Sequence, residues 1–553
     1  MRITITALLS LASASAATAG GGPENVLVVV NDLCEDSAAI ARYYMERRGV
    51  PRHHVVHVKI PGGAARDPKK PEFVPAASFG SFDAFRERLE TPVKNWLAAH
   101  KEARITTIAL TRGVPVVTPS PNDPKCTRGT AHMLALMEAP EDARTAAQQM
   151  EFKRNPIYKT DLSVDPRAPA DGTAVYAVGM LNAWTVDDVK RMIDLSIASD
   201  PKRPEGTIYL GQSKQGDPRG MYNGAFPKLA ERLGSLGLRA EIVPHNAGGS
   251  LLESKSDVVY FAFGQANWDE TFPAKNKYLP GAVIDNLTSV ALTARAFDPA
   301  GKGGQTPMTR FVAAGATVVH GCVLEPTTAA WDPSYLHVQR YLEGYAVLES
   351  FYMGHPVMPW MNLVAGDPLT QPYAQRPTVS LDALDKVLPS VAGGRPGCRL
   401  KATARATREG AGIKRVTLYV DGVVAGEATT ATAEFELKDF DPLVNTWRVV
   451  AEDDSKFRTQ DAIASEPLKK EVGKAQAALD KVAKNVATIK LTTDKDPVVT
   501  WACATSKERT ATRKGRTFTV TLEGDGPHVV DVWVRNAKEP AVFTIEIPAA
   551  SKK

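Results

Sequence analysis

Cysteine is scarce in this chain. Five residues, Cys34, Cys126, Cys322, Cys398 and Cys503, are scattered over 553 positions. That excludes a disulfide-built scaffold, and because no two stand at metal-knuckle spacing it excludes a zinc-ribbon type of site. The odd count leaves at least one thiol unpaired within a monomer. Charge of one sign is lacking as well. Lys and Arg number 67 against 62 Asp and Glu, a balance of +5 without a run of either sign. Neither nucleic acid nor an anionic membrane surface is therefore an expected partner. Past the N-terminus there is no uninterrupted apolar run of about 18 residues, so no membrane span is expected. The sequence also lacks a Gly-x-Ser-x-Gly elbow and any cofactor-binding fingerprint, which leaves a serine hydrolase weakly supported and no cofactor expected.

What is present points to several domains, since 553 residues with 43% hydrophobic content exceed what one core usually organises. Arg2 is followed by a small, apolar stretch from Ile3 to Ala16 and then Ala17-Thr18-Ala19. Residues 1–19 read as a cleaved secretion signal, ended by Gly20-Gly21-Gly22-Pro23. Export places the mature chain outside the cell, in a periplasm or on the cell surface. Its partner is then an envelope or extracellular ligand, protein or glycan.

Residues 24–376 alternate between strand and helix patterns, which predicts an α/β fold with a mostly parallel sheet in caspase-like or flavodoxin-like layering. Asn25 to Val30 is a β-rich run. Asp36 and Ser37 open a helix with Ile40, Tyr43 and Tyr44 on one face, ended by Gly49 and Pro51. Val55 to Ile60 resumes the strand pattern, and Ser81 opens a helix carrying Phe85, Leu89, Trp96 and Leu97. Between 116 and 172 the rhythm lapses into a Pro, Asp and Lys-rich insertion with one helix around His132 to Glu138. It returns with the capping box Thr185 to Asp188 and a strand at Thr207 to Leu210. After Pro377 the period becomes 2. Residues 390–468 read as an immunoglobulin-like sandwich with an Asp421-Gly422 hairpin turn. Residues 471–487, with Leu479, Val482 and Val486 at helical spacing, read as a linker helix, and 488–548 as a small β module.

Two apolar runs, Val258 to Phe263 and Ala316 to Val319, each turn polar at a strand tip, in Gly264-Gln265-Ala266-Asn267 and in His320-Gly321-Cys322-Val323-Leu324-Glu325-Pro326. Ligands of open α/β sheets sit outside the carboxyl ends of the strands, so function is expected at these corners.

The stretches Asn25 to Asn31 with Ser37 and Ile40 to Tyr44, Thr111 to Pro115, Asn155 to Tyr158, Gly281 to Asp285 with Ser289, Ala314 to Ala316 with Gly321 and Glu325-Pro326, and Gly366 to Leu369 resemble an uncharacterised family of secreted bacterial proteins found in genomes that encode exosortase. The resemblance spans about residues 25–375 and implies identity without a mechanism. Val416 to Gly422 is similar to bacterial immunoglobulin-like domains. More distantly, the order of strand, glycine corner, tryptophan, second strand and Gly-Asp-Pro resembles the caspase-like fold of gingipain-type cysteine peptidases. In those enzymes a His after one strand is the base and a Cys after the next is the nucleophile. The matching corners here read Phe263-Gly264-Gln265 and Ile284-Asp285-Asn286. A glutamine amide cannot deprotonate a thiol at neutral pH, and there is no thiol to deprotonate.

The cleft candidates are thus Arg112, Gln265, Asn267, Asp285, Ser289 and Glu325, grouped at one sheet edge. Read instead as structure, these residues cap helices and fix turns, as Asp367-Pro368 does. His320 and Cys322, two apart on one strand face, are the weak catalytic candidates. Cys34, before a capped helix, is placed for a lowered thiol pKa. His53 and His57 share a strand face that His54 opposes, so no metal site is read from them. The leading expectation is a binding or structural protein of the envelope that holds a ligand without hydrolysing it. The alternative is a peptidase-like hydrolase using Cys322 with His320, or the carboxylates Asp285 and Glu325.

Overall fold

The computed structural model describes residues 21–63, 75–146, 151, 153–160, 173–200, 202–245, 255–268, 270–301, 305–328, 334–388, 397–420, 422–437, 447–457, 459–464, 475–483, 486–493, 498–504, 511–514, 517–521, 528–535 and 541–547. The predicted signal, 1–19, lies outside them.

Short runs that are apolar on both faces become buried strands, because helices cover the sheet from both sides. β1 (Val26–Asn31) is buried along its whole length. It leads through α1 (Glu35–Arg48) to β2 (Val55–Val58). α2 (Phe82–Phe85) passes through a π turn into α3 (Thr91–Ala99), followed by β3 (Thr107–Thr111). β4 (Val117–Pro119) and β5 (Thr127–Gly129) form a hairpin ahead of α4 (Thr130–Ala135). The chain continues with β6 (Ala177–Leu181), α5 (Val186–Ser199), β7 (Thr207–Gly211), α6 (Phe226–Ser235), β8 (Arg239–Val243), β9 (Val258–Phe263) and β10 (Tyr278–Asn286). α7 (Thr309–Ala313), β11 (Val318–Cys322), α8 (Ser334–Glu343), α9 (Val347–Gly354) and β12 (Asn362–Gly366) complete the unit.

Ten strands form one sheet in the order β2-β1-β3-β6-β12-β11-β10-β9-β7-β8. β2, β1, β3 and β6 run parallel to one another, as do β11, β10, β9, β7 and β8. β12 is antiparallel to β11. This is the predicted α/β architecture. The stretch read as an insertion departs from expectation. Its helix and hairpin are core elements, with Met133 and Leu134 fully buried and the His132 ring accepting the backbone N–H of Trp360 at 2.9 Å.

Seven strands follow: β13 (Thr378–Leu388), β14 (Gly397–Arg405), β15 (Ile413–Val420), β16 (Val423–Ala428), β17 (Thr432–Leu437), β18 (Trp447–Asp453) and β19 (Gln460–Ala464). They make two antiparallel sheets, β13-β14-β17 and β16-β15-β18-β19. The faces close on Leu400, Val416, Leu418, Phe435, Trp447 and Val449, an immunoglobulin-like sandwich core. Val420 pairs with Val423 across the predicted turn, where Gly422 takes φ +82°; Asp421 lies outside the described residues. Gln460 donates to Asn25 Oδ1 at 3.1 Å, and the Phe457 ring packs 4.7 Å from that of Tyr345, so this sandwich is docked on the α/β unit.

The last module comprises β20 (Ala475–Ala483), β21 (Val486–Thr493), β22 (Val498–Ala504), β23 (Ala511–Lys514), β24 (Thr517–Thr521), β25 (His528–Arg535) and β26 (Ala541–Ile547). Its sheets run β20-β21-β24-β23 and β22-β25-β26. The linker helix expected at 471–487 is therefore corrected: its described part is mostly β20, paired antiparallel with β21 from Ala475–Thr493 to Ala483–Val486. Leu479 and Val482 satisfy helical spacing by chance. Cross-strand pairing, such as Leu479 opposite Ile489, outweighs the helix propensity of an Ala and Lys-rich segment. Among the described residues no helix is long and apolar enough to cross a membrane.

Candidate functional site

Asp285 on β10 and His320 on β11 are register partners on adjacent parallel strands. Their side chains leave the sheet on one face, and His320 Nδ1 meets Asp285 Oδ1 at 2.8 Å. From α8, which covers that face, His337 brings its Nδ1 to 3.5 Å from Asp285 Oδ2. Asn362, at the start of β12, approaches His320 Nε2 at 3.2 Å. Phe351 on α9 closes the group, its ring 4.4 Å from both imidazoles. Asp285 is 1% exposed and the two histidines 0%, so water does not reach them. Burial alone would raise the Asp285 pKa; the hydrogen bond with His320 and the charge interactions with His320 and His337 outweigh it and hold the carboxyl well below the usual range. Burial, with the Asp285 charge added, pushes the Tyr260 hydroxyl well above the ordinary tyrosine value.

The cluster carries an oriented imidazole and an ionised carboxylate, the right groups for proton transfer, in a place no substrate reaches. Sequence reading named Asp285 and His320 in separate roles and missed both their pairing and His337. His337 sits on another element with no spacing rule to connect it, and only the fold makes the link.

Arg112 does not join Asp285. Arg112 follows β3, and β6, β12 and β11 stand between that strand and β10, about 19 Å at ordinary strand spacing. Its guanidinium is spent on Asp36 at 2.7 Å, on Asn182 at 3.0 Å and on the carbonyls of Ala183 and Trp184. Arg112 is thus removed from the expected single-edge cluster. β12 runs parallel to β6 and antiparallel to β11, so the carboxyl ends of β3 and β10 lie at opposite edges of the sheet. Ser289 is nearly buried after β10, and Glu325 is exposed, accepting from the Thr327 N–H at 3.1 Å to fix a turn. Gln265 and Asn267 form a corner of their own. Asn286, fully buried, accepts the Gln265 N–H and donates to the Gln265 carbonyl, both at 3.0 Å. Gln265 in turn donates to the Asn267 carbonyl at 2.8 Å.

Cys322 shares the His320 face but is buried in an apolar pocket of Leu287, Val357, Trp360 and Met361. Cys34 caps α1, yet burial, the largest effect on it, raises its thiol pKa. This corrects the expectation of a dipole-lowered thiol. The three early histidines diverge, with His57 on Asp32 at 2.6 Å and His54 on the Val26 carbonyl at 3.2 Å.

An open crevice of about 700 Å³ lies at the carboxyl ends of β7 and β8, lined by Gln212, Lys214, Gln215, Asp217, Met221 and His245 among others. It adjoins the Gln265 corner through Ser213, whose hydroxyl donates to the Gly264 carbonyl at 2.9 Å. Met221 is half exposed there.

Neither a family model nor a curated protein matches the sequence. The chain is similar in structure to the complex of Porphyromonas gingivalis RgpB pro- and mature domains, at 10% identity and a TM-score of 0.43, over 80% of this chain and 99% of that one. It is also similar to the fibronectin(III)-like modules of Clostridium thermocellum CbhA, at 14% identity and TM-score 0.13 over 32% of this chain and 97% of that one. Tandem Ig repeats of Dlar match at 8% identity and TM-score 0.14, over 32% and 99%. No functional residue is carried over from any of them.

Proposed function

We propose that the chain is an exported, envelope-associated binding protein that holds an extended polar ligand, a peptide or glycan segment, without hydrolysing it. The crevice at the ends of β7 and β8 carries this reading. It is open, of ligand size, and lined by amide, ammonium, carboxylate and imidazole groups beside a thioether. The catalytic candidates Asp285, His320 and Cys322 are elsewhere and enclosed, each at most 1% exposed. The signal-like N-terminus and the resemblance to secreted exosortase-genome proteins agree with export. The docked sandwich suits a recognition module fixed to the binding unit.

The test is binding of the purified mature chain to peptide and glycan arrays, followed by titration of the best binder against Lys214→Ala and Gln215→Ala. Each substitution is expected to weaken binding about tenfold, the worth of one good polar contact. The recovered ligand should have unchanged mass. Turnover of a peptide or glycan that His320→Ala or Cys322→Ala abolishes would replace this reading with the hydrolase.

A further inference from the structure

His337 is fully buried, and neither of its ring nitrogens has a hydrogen-bond partner among the described residues. A buried imidazole in that state is uncommon, since buried polar groups are almost always satisfied. Asp285 Oδ2, 3.5 Å from His337 Nδ1, is in the same condition. One donor atom each from Asp285, His320 and His337 fall within 4.8 Å of one another. The two imidazoles stand perpendicular, their centroids 5.5 Å apart. His355 is the next ring, 5.7 Å from His320 and 5.6 Å from His337.

We propose that Asp285, His320 and His337 bind a divalent transition metal of the zinc class, as a closed site that ties β10, β11 and α8 together. Two nitrogens and one carboxylate oxygen are donors such ions select, whereas calcium and magnesium take oxygen shells. Donors around zinc lie about 3.3 Å apart, so the three close onto the ion by moving about 1.5 Å, within reach of ring and carboxylate rotation. The unsatisfied nitrogen of His337 and the second oxygen of Asp285 then gain a partner. Asn362 Nδ2 stands 3.2 Å from His320 Nε2; with the metal on His320 Nδ1, a half-turn of that amide lets the Nε2–H of the ring donate to its oxygen, the outer-shell contact that fixes a ligating histidine. Three donors leave one tetrahedral position, which burial closes to substrate, so the ion holds the fold and takes no part in a reaction.

The experiment is metal analysis of the mature chain purified without chelator, then dialysis of chelator-stripped protein against Zn²⁺ or Co²⁺, with Mg²⁺ and Ca²⁺ as controls. One equivalent of Zn²⁺ or Co²⁺ is expected, with visible absorption bands of nitrogen-ligated cobalt and an upward shift of the unfolding temperature. His337→Gln should lose the bound equivalent, and Asn362→Ala should weaken binding about tenfold. If His337→Gln does not fold, the cobalt spectrum of the native chain decides alone. Background metal content with no cobalt bands, or an equivalent that His337→Gln retains, overturns the proposal and leaves a proton-linked Asp–His–His network.

Discussion

Arg448 of the sandwich places its Nε 2.5 Å from Oε1 of Glu24, a carboxylate 3% exposed just ahead of β1. Desolvation raises the Glu24 pKa, and the guanidinium works against that rise. Arg104 and Glu427 add a second pair at 2.6 Å. These pairs and Phe457 on Tyr345 join the two units, and Arg408, 3.9 Å over the Phe457 ring, holds that ring from within the sandwich.

Arg448→Ala leaves Glu24 buried without its counter-charge. The expected cost is about 1–3 kcal/mol, below that of a fully buried pair because Arg448 is itself partly exposed. Limited proteolysis should show faster cleavage after Gln375, with the α/β unit surviving. Unchanged protection in the variant means the dock rests on its aromatic contacts.

Arg48, at the end of α1, joins three elements. Its Nε meets Asp367 Oδ2 at 2.5 Å, its Nη1 meets Asp200 Oδ2 at 2.8 Å, and Tyr44 donates to Asp367 Oδ1 at 3.0 Å. Arg48→Met strands a fully buried Asp367 and is expected to cost about 3–5 kcal/mol, read as an earlier unfolding transition of the α/β unit. Restoration of most of that loss in Arg48→Met with Asp367→Asn would identify the uncompensated charge as the cause.

This network shows what sequence could and could not say. Gly366-Asp367-Pro368 was visible as a turn, and strands such as β1 and β9 as unbroken apolar runs, because local pattern alone determines them. That Asp367 answers to Arg48, or Asp285 to His337, depends on strand order and on which helix covers which face, and no spacing rule encodes either. The same blindness reads a linker helix over 471–487, where Ala475–Ala483 is a strand whose partner decides its state.

His54 lies buried against Trp96, with burial as the main cause and the charge of His100 next in lowering its pKa to about 3. The unfolded chain takes up a proton near pH 6.5 while the folded chain does not. Stability from this residue is therefore full above pH 6.5 and falls as the pH drops toward 3, by up to about 1.4 kcal/mol per pH unit. Urea unfolding of His54→Gln should show a shallower acid slope than the parent. Parallel slopes would assign the loss to other groups.

Cys34, Cys126 and Cys322 are each at most 3% exposed. A thiol-reactive probe is expected to leave all three unlabelled in the native chain and to modify them in denaturant, as burial suppresses both access and thiolate formation. Labelling of Cys322 in folded protein would reopen the nucleophile reading.

Gly354, the last residue of α9, has no space for a methyl group. A Cβ there would fall 2.0 Å from His337 Cδ2 and 2.4 Å from Nε2. Gly354→Ala must therefore push the imidazole or the helix, at a cost of about 3 kcal/mol for overpacking a closed core. Removing the ring removes the clash, so His337→Ala with Gly354→Ala should be more stable than the sum of the single losses by about 1–3 kcal/mol. Additive losses would mean that α9 moves away from α8 and that His337 keeps its place beside Asp285 regardless. A coupled result fixes the imidazole against the helix end, because only a ring held there can be relieved by its own deletion.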